Sequence, residues 1–394
     1  MKKVLILNVS HNELRLIKAL KTLNFYVIAT GNRPDLIGKK HVDEHIIADY
    51  SDKDAILQIA KEREIDAVCA CCNDFGVITA AFVAEKMGLN GHDTYENTLL
   101  LHHKDKFKLF AEKHKINVPK GKNFSNAEDA EKWAGTAKYP IIIKPIDLTG
   151  GKGITTVHSF FEAQGAIDNA FVVSKNKKIV IEQYIEGTQH AICTFLINKK
   201  VKAYCSNNEY SVINPYCVEI DTYPASNFNL LKDFLINTIE TIADALELVD
   251  GIFHMQYRVD KDGVPYIIES MRRVLGNLYM LPAEKLTGIN WDYWEARTQC
   301  GLDCFDFPSR INKKGFFAYR TIKATQNGKI KDIIYSDICK KFMFDQYLLW
   351  KPNDEITDYV KEQLGFLFFQ FNSIEEMNDV MLNCYNDLYI IDYN

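Results

Sequence analysis

Hydrophobic and polar positions in the first hundred residues follow the pattern of strands and helices in turn. Short apolar runs indicate strands, whereas apolar residues spaced three or four apart indicate helices. The predicted strands are 4–9, 26–30, 45–48 and 67–71, and the predicted helices are 13–23, 55–62 and 76–87. This alternation predicts a parallel sheet with helices on both faces. The turn after the first strand contains no glycine, which argues against a dinucleotide-binding oxidoreductase.

From about residue 97 the pattern becomes a mixture of helices and hairpin-like strands, which is typical of α+β architecture. The predicted helices are 105–114, 127–133, 160–171, 230–248 and 373–384, and the predicted strands are 139–145, 154–158, 178–184, 189–197, 201–206, 252–259, 264–270, 315–322 and 365–371. We therefore divide the chain into an α/β domain over 1–97, a larger α+β domain over 98–305 with a lid at about 123–187, and a small C-terminal α+β domain over 306–394.

Composition limits the class of protein. The 47 lysines and arginines nearly balance 52 acidic residues, and this net charge of −5 argues against a nucleic-acid or membrane-surface partner. No apolar run approaches the ~18 residues that span a bilayer. Ten cysteines are scattered without a secretory signal or a zinc-ligand spacing, so we expect reduced thiols in a cytoplasmic protein.

Cations and glycines that could hold a triphosphate follow one another in the second region. A strand ends at Lys144, and a glycine-rich loop with Gly150, Gly151, Lys152 and Gly153 comes next. Lysines supply positive charge, and glycines let backbone N–H groups approach phosphate oxygens closely. Each feature alone also fits an exposed lysine or a tight turn, so their order along the chain carries the prediction.

The hairpin over 252–270 brings two polar side chains onto one face. If its turn is closed by Val259 and Val264, Gln256 lies opposite Ile267, and Glu269 lies two residues further on the same face. Both side chains could then reach one site.

This succession of features resembles the ATP-grasp superfamily over roughly residues 1–320. The resemblance implies a Rossmann-like pre-ATP-grasp domain followed by the two-lobed ATP-grasp fold. It also implies a ligase that uses ATP and Mg²⁺ to activate a carboxylate as an acyl phosphate, which an amine or a thiol then attacks. The expected partners are small-molecule carboxylates and amines, and a homodimer is left open.

The resemblance also implies roles for individual residues around the nucleotide. Lys104 is expected on the α-phosphate, with Lys106 as its rival. Glu182 would accept a hydrogen bond from the adenine amine, and the backbone of Gln183 and Ile185 would meet the ring edge. The expected nucleotide-binding residues are Lys104, Lys144, Gly150, Gly151, Gly153, Glu182, Gln183, Ile185 and Gln189, the last of which stands where the family usually has a ribose-binding acid.

The implied metal site departs from the family pattern. Gln256 and Glu269 are the expected ligands, but the family usually has two glutamates here and an asparagine where this chain has Met271. A thioether is a poor magnesium ligand, so Asp221 or Asp250 is a candidate to help. Arg273 and Lys152 are expected to be catalytic, whereas no family role is apparent for Arg272.

Two questions stay open at the level of sequence. The residues after the first and fourth strands, among them Ser10, Asn12, Asn73 and Asp74, fit helix capping and substrate contact equally well. The altered metal site also leaves a second reading, in which the chain is an ATP-binding protein of the same fold without ligase activity. The loops 207–224 and 279–286 are the expected sources of substrate specificity.

Overall fold

The computed structural model describes residues 1–148, 151–226, 228–308 and 315–394. The N-terminal part is the predicted α/β unit, with a four-stranded parallel sheet in the order β3-β2-β1-β4. Its elements are β1 (Lys3–Leu7), α1 (Leu14–Thr22), β2 (Tyr26–Gly31), β3 (Glu44–Ile47), α2 (Lys53–Glu62), β4 (Ala67–Cys69) and α3 (Asp74–Met87). Polar caps fix where the helices start, since the side chain of Asp52 accepts backbone N–H groups at the start of α2.

The region predicted as a lid contains a four-stranded antiparallel sheet that is covered by two helices. The elements of this region are α4 (Tyr95–His102), α5 (Lys104–Lys113), β5 (Gly121–Phe124), α6 (Ala127–Ala134), β6 (Ile141–Pro145), β7 (Thr155–Val157), α7 (Phe160–Val173) and β8 (Ile179–Gln183). The strand order is β5-β8-β6-β7, so that β7 forms one edge of the lid. Ala130, Ala166 and Ile181 belong to one apolar core, which joins α6 and α7 to the sheet.

The remainder of the chain is built around an eight-stranded sheet. Its elements are β9 (Gly187–Ile197), β10 (Lys200–Tyr210), β11 (Ile220–Tyr223), α8 (Phe228–Ala245), β12 (Gly251–Asp260), β13 (Pro265–Met271), α9 (Met280–Thr287), α10 (Trp291–Gln299), β14 (Phe316–Ile322), β15 (Gly328–Tyr335), α11 (Asp337–Phe342), β16 (Met343–Leu348), β17 (Glu355–Ile356), β18 (Gly365–Phe371), α12 (Ile374–Asn378) and β19 (Tyr389–Tyr393). The strand order is β13-β12-β9-β10-β11-β14-β18-β16, and β17-β15-β19 form a separate small sheet. Three of the C-terminal strands therefore continue the central sheet.

The two faces of the large sheet have different partners. On one face, α8 contributes Leu235 and Ile239 to a core with β9 and β12. On the other face, Cys193 and Phe195 belong to a core that also contains Leu16 of α1, so this face packs against the N-terminal unit. The mixed α/β and α+β fold class is confirmed, whereas the domain boundaries at residues 97 and 305 stay predictions.

The register of the β12–β13 hairpin differs from the prediction. Val259 pairs with Pro265, and a β-bulge after Gln256 shifts the ladder further, so that Gln256 lies directly opposite Glu269. The predicted pairing of Gln256 with Ile267 was wrong, because counting from the turn assumes an unbroken ladder. The bulge brings the two candidate metal ligands closer than predicted.

None of the helices in the described ranges combines the length and the apolar character needed to cross a membrane.

Candidate active site

A cavity of about 780 Å³ lies where the lid, the β12–β13 hairpin and the loops after β1 and β4 meet. Its walls carry Asn12, Asp74, Lys104, Lys144, Gly151, Gln183, Ile185, Gln189, Glu209, Asp221, Gln256, Glu269, Met271 and Arg273. Most of the predicted site residues thus surround one space, although they are spread over 170 positions between Lys104 and Arg273.

A row of side chains crosses the central sheet along one wall of this cavity. Arg258 pairs with Gln189, Gln189 with Glu209, Glu209 with Asp221, and Asp221 with Tyr319, each on the neighbouring strand. Residues that pair directly across adjacent strands point to the same face of a sheet. The row therefore runs from a cation at the lid hinge through an amide and two carboxylates to a tyrosine at the far end.

Hydrogen bonds fix the orientation of the amide of Gln189. Arg258 Nη1 donates to Gln189 Oε1 at 3.0 Å, and Gln189 Nε2 donates to a carboxylate oxygen of Glu209 at 2.8 Å. Arg258 also donates to the carbonyl oxygens of Ile185 and Gly187, which holds the hinge segment against the sheet. The sequence has an amide where the family has a ribose-binding acid, but the fold places a carboxylate directly beside that amide.

Glu209 links the predicted ribose position to the predicted metal position. Gln256 Nε2 donates to both carboxylate oxygens of Glu209 at 3.0 and 2.9 Å, which leaves the amide oxygen of Gln256 turned away from that carboxylate. Burial raises the pKa of Glu209, and the negative charge of Glu269 raises it further, although the two glutamine amides oppose the change.

The predicted metal ligands form a partly suitable oxygen set. Glu269 lies opposite Gln256, and Lys104 Nζ is 3.4 Å from Glu269 Oε1. Carboxylate and amide oxygens suit Mg²⁺, so Glu269, the amide oxygen of Gln256 and Glu209 could hold it together with phosphate oxygens. Among the described residues, no group of three or more histidine, cysteine or acidic side chains could hold a metal by itself.

Met271 is engaged by Arg273. Arg273 Nη2 lies 3.1 Å from the Met271 sulfur, and Arg273 Nε donates to Asp74 Oδ1 at 2.6 Å. His102 Nδ1 is 3.2 Å from the same Asp74 oxygen. Burial alone would raise the pKa of Asp74, but Arg273 and His102 outweigh burial and hold the pKa well below its ordinary value. Arg273, the predicted catalytic arginine, therefore lines the cavity, and Asp74 at the start of α3 fixes its guanidinium.

The carboxylate of Glu182 is held by two lysines. Its oxygens lie 3.0 Å from Lys144 Nζ and 3.0 Å from Lys108 Nζ, and the side chain is 13% exposed. Glu182 is not among the residues that line the cavity, so its contact with the adenine amine stays a prediction. Lys144, Gln183 and Ile185 do line the cavity.

The described part of the glycine-rich loop places its residues differently. Gly151 lines the cavity, whereas Lys152 is exposed and does not. A Cβ on Gly153 would meet Val173 and Pro145, so Gly153 serves packing within the lid. Gly150 lies outside the described residues. A catalytic role of Lys152 thus stays a prediction that requires this loop to move.

Two of the remaining candidates have structural roles. Asp250 accepts the backbone N–H of Asn198 at 2.7 Å and does not line the main cavity. Arg272 is buried and bonds Asp93 at 2.8 Å, which ties the hairpin to the N-terminal unit. Asp221 does line the cavity, where it accepts from Asn207 at 2.8 Å.

The residues after β1 and β4 combine capping with positions at the cavity. Ser10 forms a capping box with Glu13, and Asn73 caps α3. Asn12 Oδ1 accepts the backbone N–H of Asn277 at 2.6 Å, which joins the first domain to the loop after β13. Asn12 and Asn73 also line the cavity.

Lys104 rather than Lys106 lines the cavity, since Lys106 is exposed on α5. Sequence reasoning missed Lys108, although it lies one helical turn beyond Lys104 on the same face of α5. It also missed Glu209, because the predicted strand ended at Ser206 and left that glutamate in a loop. Strand alternation continued to Tyr210 would have pointed Glu209 into the cavity.

Comparison with known proteins identifies similar domains and folds. Residues 103–215 match the family model described as phosphoribosylglycinamide synthetase, ATP-grasp (A) domain. The carbamoyl phosphate synthase large chain of Clostridium botulinum (strain Kyoto / Type A2) is 24% identical over 268 residues, which are 64% of this chain and 24% of that protein. The chain thus spans about a quarter of the length of that relative.

Solved structures share the fold along the whole chain. The L-amino acid ligase from Bacillus licheniformis superposes with a TM-score of 0.85 at 20% identity, covering 100% of this chain and 99% of that one. The biotin carboxylase domain of the Hydrogenobacter thermophilus 2-oxoglutarate carboxylase, solved with MgADP and bicarbonate, gives 0.80 at 19% identity, covering 99% and 90%. The predicted resemblance to the ATP-grasp superfamily is confirmed by the family model over residues 103–215, and the solved structures share the fold along the chain.

Proposed function

We propose that the protein is an ATP-dependent ligase that joins a carboxylate to an amine or a thiol and releases ADP and phosphate. The observation that carries the proposal is the grouping of Lys104, Lys144 and Arg273 with Glu269 around one cavity. Cations beside a carboxylate pair suit a metal-bound triphosphate, because they neutralise the charge that develops during phosphoryl transfer.

The reaction needs no covalent enzyme intermediate. A substrate carboxylate oxygen attacks the γ-phosphorus, and the bond from that phosphorus to the ADP oxygen breaks. The amine nitrogen then attacks the acyl carbon, phosphate leaves with the electron pair of the C–O bond, and the amine proton passes to solvent. Arg273 stabilises the transferred phosphoryl group, while Lys104 and Lys144 hold the phosphates. Bound Mg²⁺ would add charge neutralisation at Glu269 and the oxygen of Gln256.

The far end of the cavity favours an amine as the second substrate. Burial and the charge of Glu209 raise the pKa of Asp221 well above its ordinary value. A raised pKa makes a carboxylate a stronger base, so Asp221 is placed to accept a proton from an amine at this end of the cavity. The alternative function is ATP binding without ligation, and it is suggested by Met271 and Gln256, which are weaker metal ligands than acidic residues. Against it, Glu269 and Glu209 still provide two carboxylates at the cavity.

The test compares two neighbouring lysines. Lys104→Met removes the cation beside Glu269, whereas Lys106→Met removes an exposed charge from the same turn of α5. We expect ATP turnover with pooled carboxylates and amines to fall by about 100-fold in the first variant and by less than about 3-fold in the second, because a charge-assisted contact to a desolvated phosphate is lost only in the first.

Mass spectrometry of the pooled reaction identifies the ligated product and counts ADP released per product. Thermal melting of both variants controls for folding. Equal turnover in the two variants would contradict the assignment of Lys104 to the phosphates, and ADP release without any ligated product would favour the alternative function.

A further inference from the structure

A tyrosine from the loop between β10 and β11 reaches across to the lid. The hydroxyl of Tyr216 accepts a hydrogen bond from the backbone N–H of Thr156 at 2.6 Å. Thr156 lies on β7, the edge strand of the lid sheet, so this bond joins the lid to a loop of the central sheet. At 2.6 Å the contact is at the short end of the hydrogen-bond range.

The same tyrosine packs against the glycine-rich loop. A Cβ on Gly151 would lie 2.8 Å from the Cβ of Tyr216 and 2.9 Å from its carbonyl oxygen, closer than real Cβ contacts allow. Gly151 also has a φ of +74°, which favours glycine. Only a residue without a side chain permits this approach, so the close contact between Gly151 and Tyr216 requires glycine at position 151.

Hydrogen bonds within the loop between β10 and β11 hold Tyr216 in place. The carboxylate of Glu219, which is 5% exposed, accepts the backbone N–H groups of Ile213 and Asn214 at 3.0 to 3.3 Å. Asn214 Oδ1 in turn accepts the backbone N–H of Tyr216 at 3.0 Å. These bonds fix the backbone at Tyr216, so its contact with the lid loses little further conformational entropy.

The loop also lines the end of the cavity that we assign to the acceptor. Pro215 and Val218, on either side of Tyr216 in sequence, face the same cavity as Asp221. A substrate bound near Asp221 would therefore touch the segment that carries Tyr216. The same loop therefore contacts the lid and lines the acceptor end of the cavity.

We propose that Tyr216 is a positioning residue that holds the lid closed over the nucleotide and links that closure to the bound acceptor. The proposal rests on the proposed function, because the benefit of closure is that water is kept from the acyl phosphate. A lid that opens early would let water take the activated carboxylate, and ATP would be consumed without ligation.

The test uses Tyr216→Phe, which keeps the Cβ and the backbone that approach Gly151 and removes only the hydroxyl. The matched control is Tyr139→Phe, since the Tyr139 hydroxyl donates to Ala134 at 3.0 Å within the lid and does not line the cavity. Hydrogen–deuterium exchange is measured first, without nucleotide. We expect amides 151–157 to exchange about tenfold faster in Tyr216→Phe than in wild type, and at the wild-type rate in Tyr139→Phe.

The second measurement is the ratio of ADP released to product ligated. It should stay near one in wild type and Tyr139→Phe and rise to about threefold or more in Tyr216→Phe, with a raised KM for ATP. Unchanged exchange at 151–157, or an unchanged ratio in an active Tyr216→Phe, would overturn the proposal. If no protein releases ADP, the proposed function fails, and the exchange measurement alone decides whether Tyr216 holds the lid.

Discussion

The carboxylate of Glu182 explains how two lysines can be buried near the cavity when no nucleotide is bound. Glu182 forms ion pairs with Lys144 and Lys108, which are both buried. Burial would raise the pKa of Glu182, but the charges of the two lysines outweigh burial and leave the pKa below its ordinary value of 4.5. Glu182 therefore holds Lys144 at the wall of the cavity.

Glu182→Gln should lower the free energy of unfolding by about 3 kcal/mol at pH about 7, because it leaves two lysines buried with no carboxylate between them. Since the pKa of Glu182 is lowered in the folded state, this contribution is complete above its ordinary value of 4.5 and is lost as the pH falls through the folded value. Urea titrations at pH about 7 and about 4 should therefore show a smaller difference between variant and wild type at the lower pH.

Glu128→Gln is the control, since its bond to Lys132 is exposed and worth about 0.5 kcal/mol or less. A similar small change in both variants would mean that the Glu182 pairs do not stabilise the fold.

At the scale of elements, one bulge decides how the two predicted metal ligands face each other. The irregularity between Gln256 and Tyr257 places Gln256 opposite Glu269, and Glu209 on β10 completes a group of three oxygen-bearing side chains. Because Gln256 is an amide and not a carboxylate, the repulsion within this group is lower when no metal is bound.

Gln256→Glu should therefore destabilise the protein without metal and make it respond to metal. A third carboxylate beside Glu209 and Glu269 adds like-charge repulsion, so the melting temperature should fall by about 2–4 °C for each kcal/mol of repulsion. Mg²⁺ with a non-hydrolysable ATP analogue should raise the melting temperature of this variant more than that of wild type. Gln256→Met controls for the lost bond to Glu209, and a magnesium response equal to that of wild type would place the metal elsewhere.

Some site residues could be predicted from the sequence and others could not. The order of Lys104, Lys144 and Glu269 along the chain predicted a shared site through its resemblance to the ATP-grasp superfamily, and all three side chains line one cavity. Glu209 was not predictable in the same way, because the continuation of β10 past Ser206 depends on pairing with β9 and β11. The contact of Tyr216 with the lid joins segments 60 residues apart and leaves no local pattern.

At the scale of the whole molecule, the parts are joined by buried polar links as well as by apolar cores. Arg272 bonds Asp93, and Arg273 bonds Asp74, so two consecutive residues of the hairpin segment both anchor to the N-terminal unit. The C-terminal strands β14, β18 and β16 extend the central sheet, and Tyr319 of β14 reaches the cavity wall. The cavity is therefore formed by all three regions of the chain.

Transfer of a carboxylate oxygen to phosphate distinguishes ligation through an acyl phosphate from simple hydrolysis of ATP. The protein is incubated with ATP, Mg²⁺, pooled amines and pooled carboxylic acids labelled with ¹⁸O, and the released phosphate is analysed by mass. An acyl phosphate passes one carboxylate oxygen to phosphate, so the account predicts one ¹⁸O in the phosphate for each ligated product. Unlabelled phosphate accompanying ADP release, or no ADP release with any substrate, would contradict it.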